Sequence, residues 1–121
     1  MSDTTRFPVY VDDESFTEDV DHATLAGRRT AKEARRRLGS EGIAPAELVA
    51  CDPEARDGTR LAGCAKTYLP PPDGPWGIVF HGWQRESPGL AYLAFGLRHP
   101  THAWQPSVYQ VADRRLHASR S

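Results

Sequence analysis

Two segments near the middle of the chain alternate apolar and small or polar residues, and they constrain its fold more than anything else in it. In Trp76 to Trp83 (WGIVFHGW), Trp76, Ile78 and Phe80 share one side, and Gly77, Val79 and His81 share the other. After the polar stretch Gln84 to Gly89, Leu90 to Arg98 alternates again, with Ala91, Leu93, Phe95 and Leu97 on one face and Tyr92, Ala94, Gly96 and Arg98 on the other. A period of two in neighbouring segments predicts paired antiparallel strands. The first set is expected in the core, with Leu93, Phe95 and Leu97 buried under helices, which sends Arg98 to the open side of the sheet.

The rest of the chain is read around that pair. Arg60 to Leu69 is expected as a third strand, stopped by Pro70-Pro71-Pro72, and Asp73-Gly74-Pro75 turns the chain into Trp76. Phe7 to Val11 carries β-formers, and Pro8 suits it only to an edge. From about Ser15 to Leu38 the spacing predicts helix, with Ala31, Ala34 and Leu38 on one stripe, a break near Gly27 and a C-cap at Gly39. Ala44 to Val49 reads as a single helical turn and Asp57-Gly58 as a turn. A last helix is expected from Ser107, where Ser107-x-x-Gln110 has capping-box spacing, to about His117. The order of elements gives one α+β domain: helices on one face of a small, twisted antiparallel sheet.

At 121 residues the chain has room for one hydrophobic core, and 39% hydrophobic against 26% charged residues is a composition that folds. No apolar run approaches the roughly 20 residues of a membrane span, and Met1 to Thr5 has no secretion-type pattern, so a cytoplasmic location is expected. Cys51 and Cys64 are then expected as reduced thiols. The net charge of −1 hides an asymmetry. Residues 1–21 hold seven acids against Arg6, a net −6, whereas the remaining hundred residues carry fourteen Lys/Arg and nine Asp/Glu, a net +5. Such a basic body suits contact with phosphate backbones. Equally, Arg28, Arg29, Arg35, Arg36 and Arg37 are read as one solvated helix face, or as a groove for a partner helix. Residues 1 to about 6 are expected to be mobile, and Asp12 to Asp21 to lie against the basic body. There is no glycine-rich phosphate loop, GxSxG elbow or HExxH motif, and combinations of Cys51, Cys64, His81, His99 and His102 match no metal-site spacing. No cofactor and no metal are expected.

The more pointed signal is Phe95-Gly96-Leu97-Arg98-His99, followed by Ser107-Val108-Tyr109-Gln110-Val111-Ala112-Asp113-Arg114-Arg115-Leu116. A strand ending in Gly-x-Arg and leading into Val-Tyr-x-x-Ala-x-Arg-Arg-Leu resembles the C-terminal end of the RelE/ParE-like toxin superfamily of bacterial toxin–antitoxin systems. Gly58 to Gly63 is similar to the Gly-x-x-x-Leu-x-Gly stretch before that family's central strands, and Pro75 to Phe80 to its aromatic-Arg-apolar strand. The matching order covers residues 58–116. The resemblance implies one of two activities: metal-independent cutting of mRNA on the ribosome, or, without nuclease action, inhibition of DNA gyrase. In either case a cognate antitoxin is the implied partner. A family-shaped binding module without toxin activity is the third reading. Carried over by position, Arg98 is the implied phosphate clamp and Tyr109 the C-terminal tyrosine. Lys66 falls near the lysines of family nucleases, and neighbouring positive charge favours the neutral form of an amine, so it is the candidate base. His81 and His99 are candidate acids or bases and, with Arg60, candidate substrate-binding residues. Against these roles stand a structural salt bridge of Arg98 with Asp113 and packing of the Tyr109 ring on the sheet. The chain departs from the family pattern at Gly77, where the nucleases carry arginine, and in the additional stretch His99 to Pro106.

Overall fold

The computed structural model describes residues 6–71, 73–83 and 89–118. The element order is β1 (Val9–Tyr10), α1 (Asp13–Asp21), α2 (Leu25–Glu41), a 3-10 turn (Pro45–Glu47), β2 (Val49–Ala50), β3 (Cys64–Leu69), β4 (Trp76–His81), β5 (Leu90–Leu97) and α3 (Val108–Ala118). The strands form one sheet in the order β1-β5-β4-β3-β2. Neighbours are antiparallel except for β1, which runs parallel to β5 at the sheet edge, joined to it through α1, α2 and the three other strands. The chain is α+β, as its periodicities indicate. The expected mobility of residues 1 to about 6 falls almost wholly outside the described residues.

The helix ends show why the helices stop where they do. Asp12 caps α1 by accepting from Glu14 N and Ser15 Oγ, and Thr24 caps α2 by accepting from Gly27 N. The break between the two helices lies at residues 22–24 rather than at Gly27. Gly27 is instead needed in the first turn of α2 because the Trp76 indole occupies the space a β-carbon would take. Gly39 stays helical, and the C-cap is Gly42, whose φ of 68° is the left-handed conformation glycine accepts without strain.

Both faces of the sheet are covered, and this corrects the expectation of helices on one face only. Ala31, Ala34 and Leu38 of α2, with Phe16 and Val20 of α1, pack on Ile78, Phe80, Tyr92 and Phe95. Val108 and Ala112 of α3 pack with Val79, Leu93, Ala94, Cys51 and Cys64 on the opposite face. The alternation in β5 is broken once. Val79 pairs with Ala94 but Phe80 with Tyr92, so Leu93 is a bulge residue. One extra residue flips the faces, so Tyr92 joins Phe95 over α1 while Leu93 turns toward α3. Leu93 and Phe95 are both buried as expected, but on opposite faces.

β1 covers only Leu90 and Ala91 of the β5 edge. Further along, side chains close it: the buried Asp19 carboxylate accepts from Phe95 N (3.0 Å) and from the Tyr92 hydroxyl, while Arg115 Nη1 donates to Leu93 O (2.9 Å). Arg115 also holds Asp19 through 2.7 and 2.8 Å contacts, so an acid of the leader and a base of α3 seal the strand edge together. Asp13 lies 3.4 Å from Arg35, and the acidic stretch thus sits against the basic body. Among the described residues no helix is long and apolar enough to cross a membrane.

Candidate functional site

The α3 face of the sheet is only partly covered by α3, and the sequence brings four side chains together on the remainder. β3 alternates so that Lys66 lies opposite Val79 and Tyr68 opposite Gly77. β5 ends at Leu97, and Arg98 extends the same face past Gly96. The capping box forms as its spacing implied, with Ser107 Oγ accepting from Gln110 N and Gln110 Oε1 accepting from Ser107 N, and this fixes the first turn of α3. That turn presents Tyr109.

Arg98 Cζ sits 3.8 Å from the centroid of the Tyr68 ring, and Lys66 Nζ lies 5.9 Å from the Tyr68 centroid and 4.9 Å from that of Tyr109. Two cations and two aromatic rings thus alternate, Arg98, Tyr68, Lys66, Tyr109, each cation over a ring face. Arg98 Nη1 donates to Gly74 O at 2.8 Å and Asp73 O at 3.4 Å, tying the turn before β4 to the end of β5. Among the described residues its Nε is buried without a partner. Gly77 acquires its meaning here. A β-carbon there would lie 3.1 Å from Arg98 Cγ, so the glycine is the bed on which Arg98 lies. Its register partner is Gly96, over which Val108 closes at 3.6 Å from where a β-carbon would stand. A side chain at 77 would require Arg98 to shift from the position observed.

Lys66, Arg98 and Tyr109, singled out from widely separated parts of the chain, therefore meet. Tyr68 was not among the candidates; following the alternation of β3 two residues beyond Lys66 would have found it. His81 lies at the opposite end of β4, half-buried, in a wide cleft with Tyr10, Val11, Asp12 and Ser15. His99 is exposed in the turn after β5. The Arg60 side chain is exposed, and its main chain is clasped by α3: Arg60 N donates to Asp113 Oδ1 at 2.8 Å, and His117 Nε2 lies 2.9 Å from Arg60 O. Asp113 is thereby engaged with Arg60 N and His117, not with Arg98. The ring of Tyr109 does pack partly against the apolar cluster under α3, so its structural and cation-facing roles coexist.

Elsewhere the chemistry is quiet. Cys51 and Cys64 are buried and unpaired, and burial pushes their thiols up to about 11 and about 12, the opposite of an activated nucleophile. Asp57 is held below the usual carboxylate range by hydrogen bonds from the Thr59 backbone and hydroxyl, which build the 57–59 turn. Among the described residues no group of three or more His, Cys, Asp or Glu is placed to hold a metal ion. A site of cations and rings with no carboxylate bonded to them among the described residues is suited to holding an anion and stacking a planar group. No family model, curated protein or solved structure matches the chain.

Proposed function

We propose that this chain is the toxin component of a bacterial toxin–antitoxin pair, a RelE-like endoribonuclease that cuts mRNA on the ribosome and is restrained by a cognate antitoxin. The observation that carries the reading is the meeting of Lys66, Arg98 and Tyr109 on one open patch of the sheet. The order of N-terminal helices, sheet and C-terminal helix is also the one the resemblance implies. In the proposed reaction the 2′-oxygen attacks the adjacent phosphorus while its proton passes to Lys66. The bond from phosphorus to the 5′-oxygen breaks, and that oxygen takes a proton from solvent water. Arg98 stabilises the charge growing on the phosphoryl oxygens, and Tyr109 orients a base. No metal takes part in this scheme. A reconstituted translation reaction tests it: added protein should produce new 5′ ends within the ribosome-bound message, and an Arg98→Ala protein should not.

One observation favours the alternative of a non-nucleolytic member that binds a partner such as DNA gyrase. Arg98 is already bonded to the 73–74 turn and stacked on Tyr68, an arrangement that serves a binding surface as well as a catalytic one. Intact message together with a supercoiling defect in the same cells would select that reading.

A further inference from the structure

Residues 99–106, which separate β5 from α3, fold into turns that carry the most exposed large aromatic residue among those described. Trp104 is 80% exposed, and its indole stacks on the His102 imidazole with ring centroids 5.3 Å apart and planes 12° apart. With one face of the indole against His102, the other is open to a planar partner.

Trp104 also stands between two clefts. One, of about 490 Å³, is lined by Asp57, Thr59, Gln110, Asp113 and Arg114; the other, of about 450 Å³, runs between α1, β5 and α3. Trp104, Pro106 and Arg114 line both. Of the acids in these walls, Glu18 and Asp19 are ion-paired with Arg115, while Asp57 accepts from Thr59 and Asp113 from Arg60 N, with His117 3.4 Å away. Among the described residues no carboxylate forms an ion pair with Arg114, which lines both clefts. Gln110 Oε1 is taken by Ser107 N, which leaves the amide nitrogen of that side chain to donate. The segment begins at Arg98 and ends at the first turn of α3, so it is anchored at both ends on the Lys66–Arg98–Tyr109 patch.

We infer that Trp104, backed by His102, is a stacking platform for an unpaired base of single-stranded RNA, with Arg114 taking the neighbouring phosphate and Gln110 donating to the base edge. Where it names RNA, the inference rests on the function proposed above, and it adds a subsite beyond the reacting phosphate. An open ring face, a cation without a described acid and an amide donor fit a nucleotide better than an apolar peptide, which would leave the cation and the amide unanswered.

The test uses a fluorescein-labelled ten-nucleotide RNA with every 2′-hydroxyl methylated, which can be bound but not cut, and follows anisotropy and tryptophan emission. Binding should quench tryptophan emission. Trp104→Ala should weaken binding about tenfold or more and abolish most of the quenching, whereas Trp104→Phe retains most of the affinity. Arg114→Gln should lower the slope of log K against log salt by about 0.7, the loss of one phosphate contact, while Trp104→Ala leaves the slope unchanged. An abasic nucleotide at one position of the oligonucleotide should remove the cost of Trp104→Ala. Equal binding by wild type and Trp104→Ala overturns the inference. So does an equal loss with dextran sulfate, which has no bases, or a Trp104 effect on self-association alone. Because cleavage is not read, a protein that binds through Trp104 but never cuts message overturns the nuclease reading and leaves the stacking platform standing. A protein that cuts but binds this oligonucleotide independently of Trp104 does the reverse.

Discussion

At the scale of single residues, Arg98 and Gly77 behave as one unit. Arg98 lies over Gly77, against Tyr68 and onto Gly74 O, so a large side chain at 77 has to push it out of place. Gly77→Leu should therefore abolish activity while costing about 1 to 3 kcal/mol of stability, the usual range for overpacking, measured by denaturant unfolding beside the cleavage assay. Arg98→Ala should slow cleavage by roughly a hundredfold to a thousandfold, because charge stabilisation of this kind is commonly worth about 3 to 4 kcal/mol. Arg98→Lys separates this loss from that of the turn, since it keeps the charge but not the planar stacking on Tyr68. The Tyr109 hydroxyl makes no hydrogen bond among the described residues, and the ring is what faces Lys66. Tyr109→Phe should accordingly retain most activity and Tyr109→Ala little, with kcat and KM read separately. Three of the four site residues were legible in the sequence: Arg98 from strand alternation and the resemblance, Tyr109 and Lys66 from the resemblance alone. Tyr68 was missed although it shares the Lys66 face; the strand itself begins at Cys64 rather than Arg60.

At the scale of elements, the least legible feature was the way β5 is finished. Its bulge at Leu93 leaves no local mark, because Leu93 and Ala94 are apolar on either face. The closure of its edge joins Asp19 to Arg115, residues 96 positions apart, a distance no periodicity spans. Asp19 supports Phe95 N, Tyr92 and Arg115 at once, and Asp19→Ala leaves Phe95 N and the Tyr92 hydroxyl without their described partner and Arg115 with only Leu93 O and Glu18. The expected cost is about 3 kcal/mol, or about 10 °C in Tm, and hydrogen exchange at Phe95 should rise before global unfolding. The helices were the more readable part: the Ala31, Ala34, Leu38 stripe is buried as its spacing indicates, and the Ser107 capping box forms. The cap at Gly42 was missed because Gly39 satisfies the same local pattern; what selects Gly42 is the close approach of the Phe7 backbone.

At the scale of the whole molecule, the acidic leader and the basic body are partly neutralised by each other. Asp12 caps α1 and Asp19 is structural, so neither can be removed to unmask the surface. Asp13→Asn frees only the exposed contact to Arg35, and it should raise RNA affinity at low salt by less than about threefold, vanishing near 0.5 M salt. Stability should fall at high pH. Burial holds Cys51 and Cys64 protonated in the folded state, up to about 11 and about 12 against 9.0 for an ordinary thiol. Their contribution is complete below pH 9 and is lost as the pH rises through those folded-state values. Tyr92, raised first by burial and then by the charge of Asp19, pulls in the same direction. A Cys51→Ala/Cys64→Ala protein should thus lose less Tm between pH 8 and 11 than wild type, without becoming pH-independent.

The claim that the Lys66–Arg98–Tyr109 patch cuts messenger RNA is tested most directly in cells that express the protein without any antitoxin. Growth and the 5′ ends of ribosome-bound mRNA are followed beside an Arg98→Ala protein of unchanged Tm. The account predicts growth arrest with new 5′ ends inside coding sequence for the wild type, and neither for the variant. Arrest with intact message, or unimpaired growth with the wild-type protein present, would contradict it.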